Sequence, residues 1–128
     1  MNKLTTEGIT ISVVTRYEPV HSRPDNDYFS FSYQINIKNE GSETVQLLRR
    51  HWFITDANAE LREVEGPGVV GEQPVLKPGD SHSYTSWCPL ATPFGQMGGY
   101  YLMQRMADGS SFKAKVPDFT FTAEFLLN

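Results

Sequence analysis

A chain of 128 residues, 39% hydrophobic and 12% aromatic, suits one domain that buries roughly two-thirds of its unfolded surface without disulfide or metal support. Eleven Lys and Arg against fifteen Asp and Glu leave a net charge of −4, which excludes a surface built for general nucleic-acid binding, because such surfaces neutralise many phosphates. No run approaches the ~18 apolar residues of a membrane span, so no membrane insertion is expected; the first eight residues lack the apolar core of a secretory leader, and the single cysteine, Cys88, suits a reducing cytoplasm.

In chain order, Ile9, Ile11, Val13, Thr15 and Tyr17 alternate with Thr10, Ser12, Val14 and Arg16, the two-residue period of a strand with one buried face. Glu18-Pro19 ends it, and residues 21–27, polar and broken by Pro24, read as an exposed loop. Phe29, Phe31, Tyr33, Ile35 and Ile37 then share one face of a second strand, an arrangement a helix would scatter around its circumference. Asn39-Glu40-Gly41-Ser42 supplies a turn. The third strand starts with Val45 and Leu47 in phase, but Leu48, Arg50, Trp52 and Ile54 form its next apolar-containing face. A one-residue slip exchanges buried and solvent faces, so a bulge or change of sheet is expected between Leu48 and Arg50, which singles out Arg49, Arg50 and His51. After turn chemistry at residues 56–59, Leu61 to Val64 return as a hairpin partner.

Residues 65–80 separate the front half from the back half and contain Gly-x-Gly-x-x-Gly at Gly66, Gly68 and Gly71. A dinucleotide site needs a helix after such glycines, to present N–H groups and the positive end of the helix dipole to the pyrophosphate. Pro74 and Pro78 forbid that helix, at roughly 3 kcal/mol or more each in a helix interior. Pro67 also deletes an N–H where a phosphate cradle would want one, and no Gly-Lys-Ser/Thr follows to make a Walker loop. The glycines are expected to shape a sharp loop between two layers of sheet, with a non-helical nest of N–H groups around an anion as the alternative. Lys77-Pro78-Gly79-Asp80 fits a type II turn.

His82, Tyr84, Ser86 and Cys88 share the face of the following strand, and the Leu76-x-Pro78-Gly79 lead predicts a tyrosine corner, with the Tyr84 phenol on backbone groups. Residues 89–99 read as a second loop rich in glycine and proline. Residues 100–106 and 111–116 flank Asp108-Gly109, a hairpin signal. Pro117 is expected to break the chain, and Phe119, Phe121, Ala123 and Phe125 alternate with Thr120, Thr122 and Glu124 in a last strand. No segment carries ten residues of helical period. Seven or eight short strands with frequent turn signals indicate an all-β, immunoglobulin-like antiparallel sandwich.

The run from Val45 through Arg49-Arg50-His51-Trp52 to Asn58, the segment Val64-x-Gly66-x-Gly68-Val69-Val70-Gly71, and Tyr84-Thr85-Ser86-x-Cys88-Pro89-Leu90-x-Thr92-Pro93-x-Gly95-x-Met97-x-Gly99-x-Tyr101 closely resemble the bacterial ApaG family. The likeness spans nearly the whole chain, so residues 1–128 read as a single ApaG domain. It implies a fibronectin type III-like β-sandwich. It also implies a loose association with cobalt resistance and magnesium efflux, beside a gene neighbour that hydrolyses diadenosine tetraphosphate. Related domains in eukaryotic F-box proteins and in a polymerase-delta-interacting protein imply protein recognition. The family has no established catalytic residues, so none is carried over.

The residues themselves offer three kinds of site. His21, His51, His82 and Cys88 stand in no recognisable nucleophile signature, so neither an enzyme nor a cofactor is expected. His21 with Asp25 and Asp27 is the best local set of metal donors, read as a solvated acidic turn rather than a metal site. Gly66, Gly68 and Gly71 could expose N–H groups to a small phosphorylated ligand, with Arg49, Arg50 and His51 adding charge, since the guanidinium fork matches phosphate. The reading favoured is a non-enzymatic binding module that presents the glycine loop, residues 89–99 and residues 49–51 to a protein partner. Trp52, Phe94 and Met97 are candidate anchors, with core packing the expected job of Trp52. A homodimer is compatible with the sequence.

Overall fold

The computed structural model describes residues 2–123. Those residues form β1 (Asn2–Thr6), β2 (Ile9–Tyr17), β3 (Phe29–Asn39), β4 (Val45–Asp56), β5 (Leu61–Pro67), β6 (Val75–Leu76), β7 (Ser81–Leu90), β8 (Phe94–Arg105) and β9 (Ser111–Thr122), with two single 3₁₀ turns at Pro19–His21 and Pro24–Asn26. Every pairing is antiparallel, in sheets of order β1-β2-β3-β7 and β5-β4-β8-β9, the second also carrying β6 on β4. The fold is thus the immunoglobulin or fibronectin type III kind of sandwich that the alternating pattern predicts. β1 is an addition to it. Its burial follows no apolar alternation; the ladder to β2 and a hydrogen bond from Asn2 Nδ2 to the Asp118 carbonyl at 2.9 Å hold it.

The core is made by the faces that period two assigns. Phe29, Phe31, Tyr33, Ile35 and Ile37 of β3 are all buried, opposite Trp52 and Ile54 of β4, Tyr101 and Met103 of β8, and Phe119 and Phe121 of β9. Each fully buried side chain of this size stabilises the fold by about 1.5–3 kcal/mol. Their rings pack edge-on or tilted, as the aromatic quadrupole favours: Tyr33 lies 5.8 Å from Trp52 and Phe119 lies 5.5 Å from Phe121.

Two bulges set the registers. The β4–β8 ladder shifts between Leu47 and Arg49, where the slip of phase in the sequence places it. The β8–β9 ladder shifts between Met97 and Gly99, so that Pro117 and Asp118 oppose the single residue Gly98. Pro117 therefore does not break the chain. It sits in a bulge on an edge strand, where its missing N–H costs no ladder bond.

Residues 89–99 also depart from the expected loop. Pro89 and Leu90 end β7, residues 91–93 turn, and Phe94 already begins β8. The glycines there serve close packing within strands: a Cβ on Gly98 would stand 2.2 Å from Asp118 Oδ1, and one on Gly99 would stand 1.9 Å from the His51 carbonyl oxygen. The turn at residues 77–80 takes its expected form, with Gly79 at φ +91° and Asp80 N–H donating to the Lys77 carbonyl at 2.8 Å. Tyr84 forms no corner. Its hydroxyl pairs with the hydroxyl of buried Tyr101, joining the two sheets through the core. Glu124 and Phe125, expected in the last strand, lie outside the described residues.

Candidate functional site

The bulge after Leu47 decides where Arg49, Arg50 and His51 go. The pleat sends Arg49 and His51 to the outer face of the β5-β4-β8-β9 sheet and turns Arg50 inward with Trp52 and Ile54. The three side chains therefore do not form one cationic cluster.

On the outer face His51 is the centre. Its Nε2 lies 2.7 Å from Glu63 Oε2, and its Nδ1 lies 3.1 Å from the Tyr100 hydroxyl and 3.3 Å from Glu65 Oε2. Phe53 stacks on the imidazole at 4.6 Å, Tyr100 leans on it at 5.1 Å, and the Lys113 ammonium sits 4.6 Å above the Tyr100 ring. Arg49 closes the row by donating to Glu65 at 2.9 Å. The ladder explains the convergence, since Arg49, His51 and Phe53 stand opposite Pro67, Glu65 and Glu63 on β5. The outcome is a strip of rings bordered by charges of both signs on a rigid sheet. Phe53 and Leu61, 36% and 65% exposed, leave apolar surface in water at its β5 side.

The glycine motif is occupied by the protein's own bonds. Gly68 N–H donates to the Leu48 carbonyl at 2.9 Å, and the alternation of that ladder puts Gly66 in a hydrogen-bonded pair with Arg50. Gly66 has no Cβ because the Arg50 guanidinium lies against it, with Nη2 3.1 Å from where that atom would be. Arg50 Nη1 in turn donates to the carbonyls of Pro67 and Gly68 at 2.9 and 3.1 Å. Beyond Gly68, Val69 and Glu72 exchange both backbone bonds around Val70 and Gly71, whose φ values of +46° and +78° make a type I′ turn. No helix follows Gly71; the chain runs instead into the short β6. An anion nest at this loop loses the N–H groups of Gly66 and Gly68 to sheet bonds.

The remaining candidates lie apart. His21 meets the edge of Trp87 at 5.1 Å, Asp25 lies in the second 3₁₀ turn, and Asp27 follows it at φ +53°. The described residues contain no group of three or more His, Cys, Asp and Glu side chains placed to hold a metal ion. His82 faces Glu72 of the glycine loop at 3.6 Å. Cys88 is buried, and burial pushes its thiol pKa up, with the nearby Arg62 guanidinium pulling it partly back. Trp52 and Met97, 3% and 1% exposed, belong to the core and cannot anchor a partner, whereas Phe94 is exposed. Phe53, Glu63, Glu65, Tyr100 and Lys113 escaped the sequence reading. The signal for Phe53, Glu63 and Glu65 is the outward half of the alternation in residues 49–55 and 61–67, while Tyr100 and Lys113 join them only through the long-range register of β8 and β9.

Comparison with known proteins places this geometry in a family. Residues 19–105 match the family model described as the ApaG domain. A Protein ApaG from Paramagnetospirillum magneticum is 51% identical over 120 residues, covering 94% of this chain and 92% of its own. One from Methylorubrum populi is 48% identical over 126 residues, covering 98% and 96%. The crystal structure of the ApaA protein from Bordetella pertussis superposes with a TM-score of 0.86 at 42% identity, covering 89% of this chain and 92% of that one.

Proposed function

The chain belongs to the ApaG domain family, and from the geometry of its outer sheet face we propose that it acts as a non-catalytic recognition module for another protein in the cytoplasm. The observation that carries this reading is the strip Phe53–His51–Tyr100–Lys113 with Arg49, Glu63 and Glu65 along it. Rings at the centre, a guanidinium beside them and a rim of charge are the make-up of protein interfaces. A sheet holds them with little side-chain entropy left to lose on binding.

The non-catalytic part of this reading is supported by where the histidines and the cysteine lie. His51 lies on the outer face, Cys88 is buried in the other sheet, His21 packs on Trp87, and His82 meets the glycine loop. A nucleophile and its base need hydrogen-bond contact, and among the described residues the contacts of Cys88 run to Arg62 and to no histidine. The family's association with cobalt resistance and magnesium efflux then works indirectly, through whatever protein the strip holds.

The test is affinity capture from cell lysate with the native chain and with Phe53→Ser/Leu61→Ser, after both give the same unfolding midpoint. Partners retained by the native chain are expected to be lost by the double variant. An unchanged set of captured proteins removes the strip from consideration. Measured cobalt resistance of cells carrying the double variant gives the second readout.

A further inference from the structure

The two sheets part along the side where the free edges of β5 and β7 face each other, and a groove of about 180 Å³ opens there into the sandwich. Arg50 and Arg62 line it together with the hydroxyl-bearing Tyr33 and Ser86 and with the apolar Trp52, Ile54 and Val64. The two arginines differ from Arg49 and Arg105. Arg49 and Arg105 each meet carboxylates, whereas Arg50 and Arg62 make no ion pair among the described residues. Their hydrogen bonds go to neutral acceptors: Arg50 to the carbonyls of Pro67 and Gly68, and Arg62 to the Pro89 carbonyl at 3.2 Å and the Cys88 sulfur at 3.5 Å.

Carbonyls orient a guanidinium without neutralising it, and each fork carries five N–H donors. A chain with fifteen carboxylates and a net charge of −4 thus points two cations into one cavity and supplies no anion there. Arg50 is half-buried there and Arg62 stands exposed at the mouth, so an anion entering the groove meets both guanidiniums. We propose that this groove binds a small molecule with an oxyanion head, carboxylate or phosphate, held between Arg50 and Arg62, and an apolar body set against the floor that Trp52, Ile54 and Val64 make. The size limits the ligand. Pockets for drug-sized molecules run to roughly 300–1,000 Å³, so about 180 Å³ admits one ring and its head and excludes a nucleotide. The groove opens on the opposite side of β4 from the outer strip, so loss of ligand binding and loss of partner capture are separable results.

Trp52 lies in the floor of the groove, so its indole N–H resonance reports on it directly, and Trp87, on the outer face against His21, serves as the internal reference. The probes are phenyl phosphate and benzoate, with benzyl alcohol as the neutral ring and inorganic phosphate as the bare head. A saturable change is expected with phenyl phosphate, benzoate or both, at least ten-fold tighter than with benzyl alcohol. Phenyl phosphate alone assigns a phosphate head and benzoate alone a carboxylate. Inorganic phosphate is expected to displace phenyl phosphate. Arg62→Gln, whose side chain is at the groove mouth, is expected to weaken binding at least five-fold with an unchanged unfolding midpoint. Because Arg50 also holds the glycine loop, the native chain's own shift map, confined to Trp52, Val64 and Ser86, is the measure independent of variants. Equal affinity for benzyl alcohol and the anions, shifts elsewhere, or no saturation by about 10 mM overturns the assignment.

Discussion

Replacing Gly68 and Gly71 separately by alanine distinguishes a structural glycine motif from a ligand-binding one. Both residues have positive φ, +63° and +78°, so each alanine pays about 1 kcal/mol for a left-handed conformation. Their surroundings differ. A methyl on Gly68 would stand 2.3 Å from the Glu72 carbonyl oxygen and 3.0 Å from its carbon, whereas a methyl on Gly71 meets nothing within 4 Å. The obstacle at Gly68 is backbone, in the turn that Val69 and Glu72 close, so relief requires moving the loop at a further ~1–3 kcal/mol. Gly68→Ala is therefore expected to lose about 2–4 kcal/mol and Gly71→Ala about 1 kcal/mol. For a chain of this length each kcal/mol lowers Tm by about 4 °C. Urea unfolding followed by tryptophan fluorescence, with the slope checked for constancy, measures both. Equal losses, or no loss at Gly68, would refute the claim that packing explains that glycine.

Other outcomes follow from the same geometry. Val70 is a β-branched residue held at φ +46° and 65% exposed, in a turn that favours Asn-Gly; Val70→Asn is expected to raise stability by about 1 kcal/mol, seen as a Tm several degrees higher. Tyr84→Phe and Tyr101→Phe each strand a buried hydroxyl and should each cost about 1–3 kcal/mol, while the double variant should cost less than their sum; simple additivity in a double-mutant cycle would count against the pair. Burial raises the pKa of Tyr33, Tyr84 and Tyr101 above the ordinary value. The unfolded chain then ionises first as pH climbs past about 10, so the stability these tyrosines hold is full below that pH and is lost as pH rises toward their folded-state values. The slope is about 1.4 kcal/mol per pH unit for each tyrosine protonated only in the fold, and denaturant midpoints measured between neutral and strongly alkaline pH should fall accordingly, less steeply in the double phenylalanine variant.

Local pattern alone determined the class of fold, the inward faces of β2, β3 and β9, the bulge ahead of Arg49, the turn at Gly79 and the exclusion of a helix after Gly71. Each of these follows from the two-residue pleat or from the fixed backbone preferences of proline and glycine, which act over a few neighbours. The pairing of distant strands lay beyond that range. It turned all of residues 89–99 but the bend at 91–93 into strand, because Gly98 and Gly99 answer to Asp118 and to the His51 carbonyl, which sequence neighbours cannot show. It absorbed Pro117 into a bulge, and it held β1 by a ladder rather than by an apolar face. The same register split Arg49 and His51 from Arg50, brought Glu63 and Glu65 to His51, and set Arg50 and Arg62 in one groove without a carboxylate. A pleat alternates faces residue by residue, but which charge meets which depends on contacts between strands far apart in the chain, and only the packed sheets decide that.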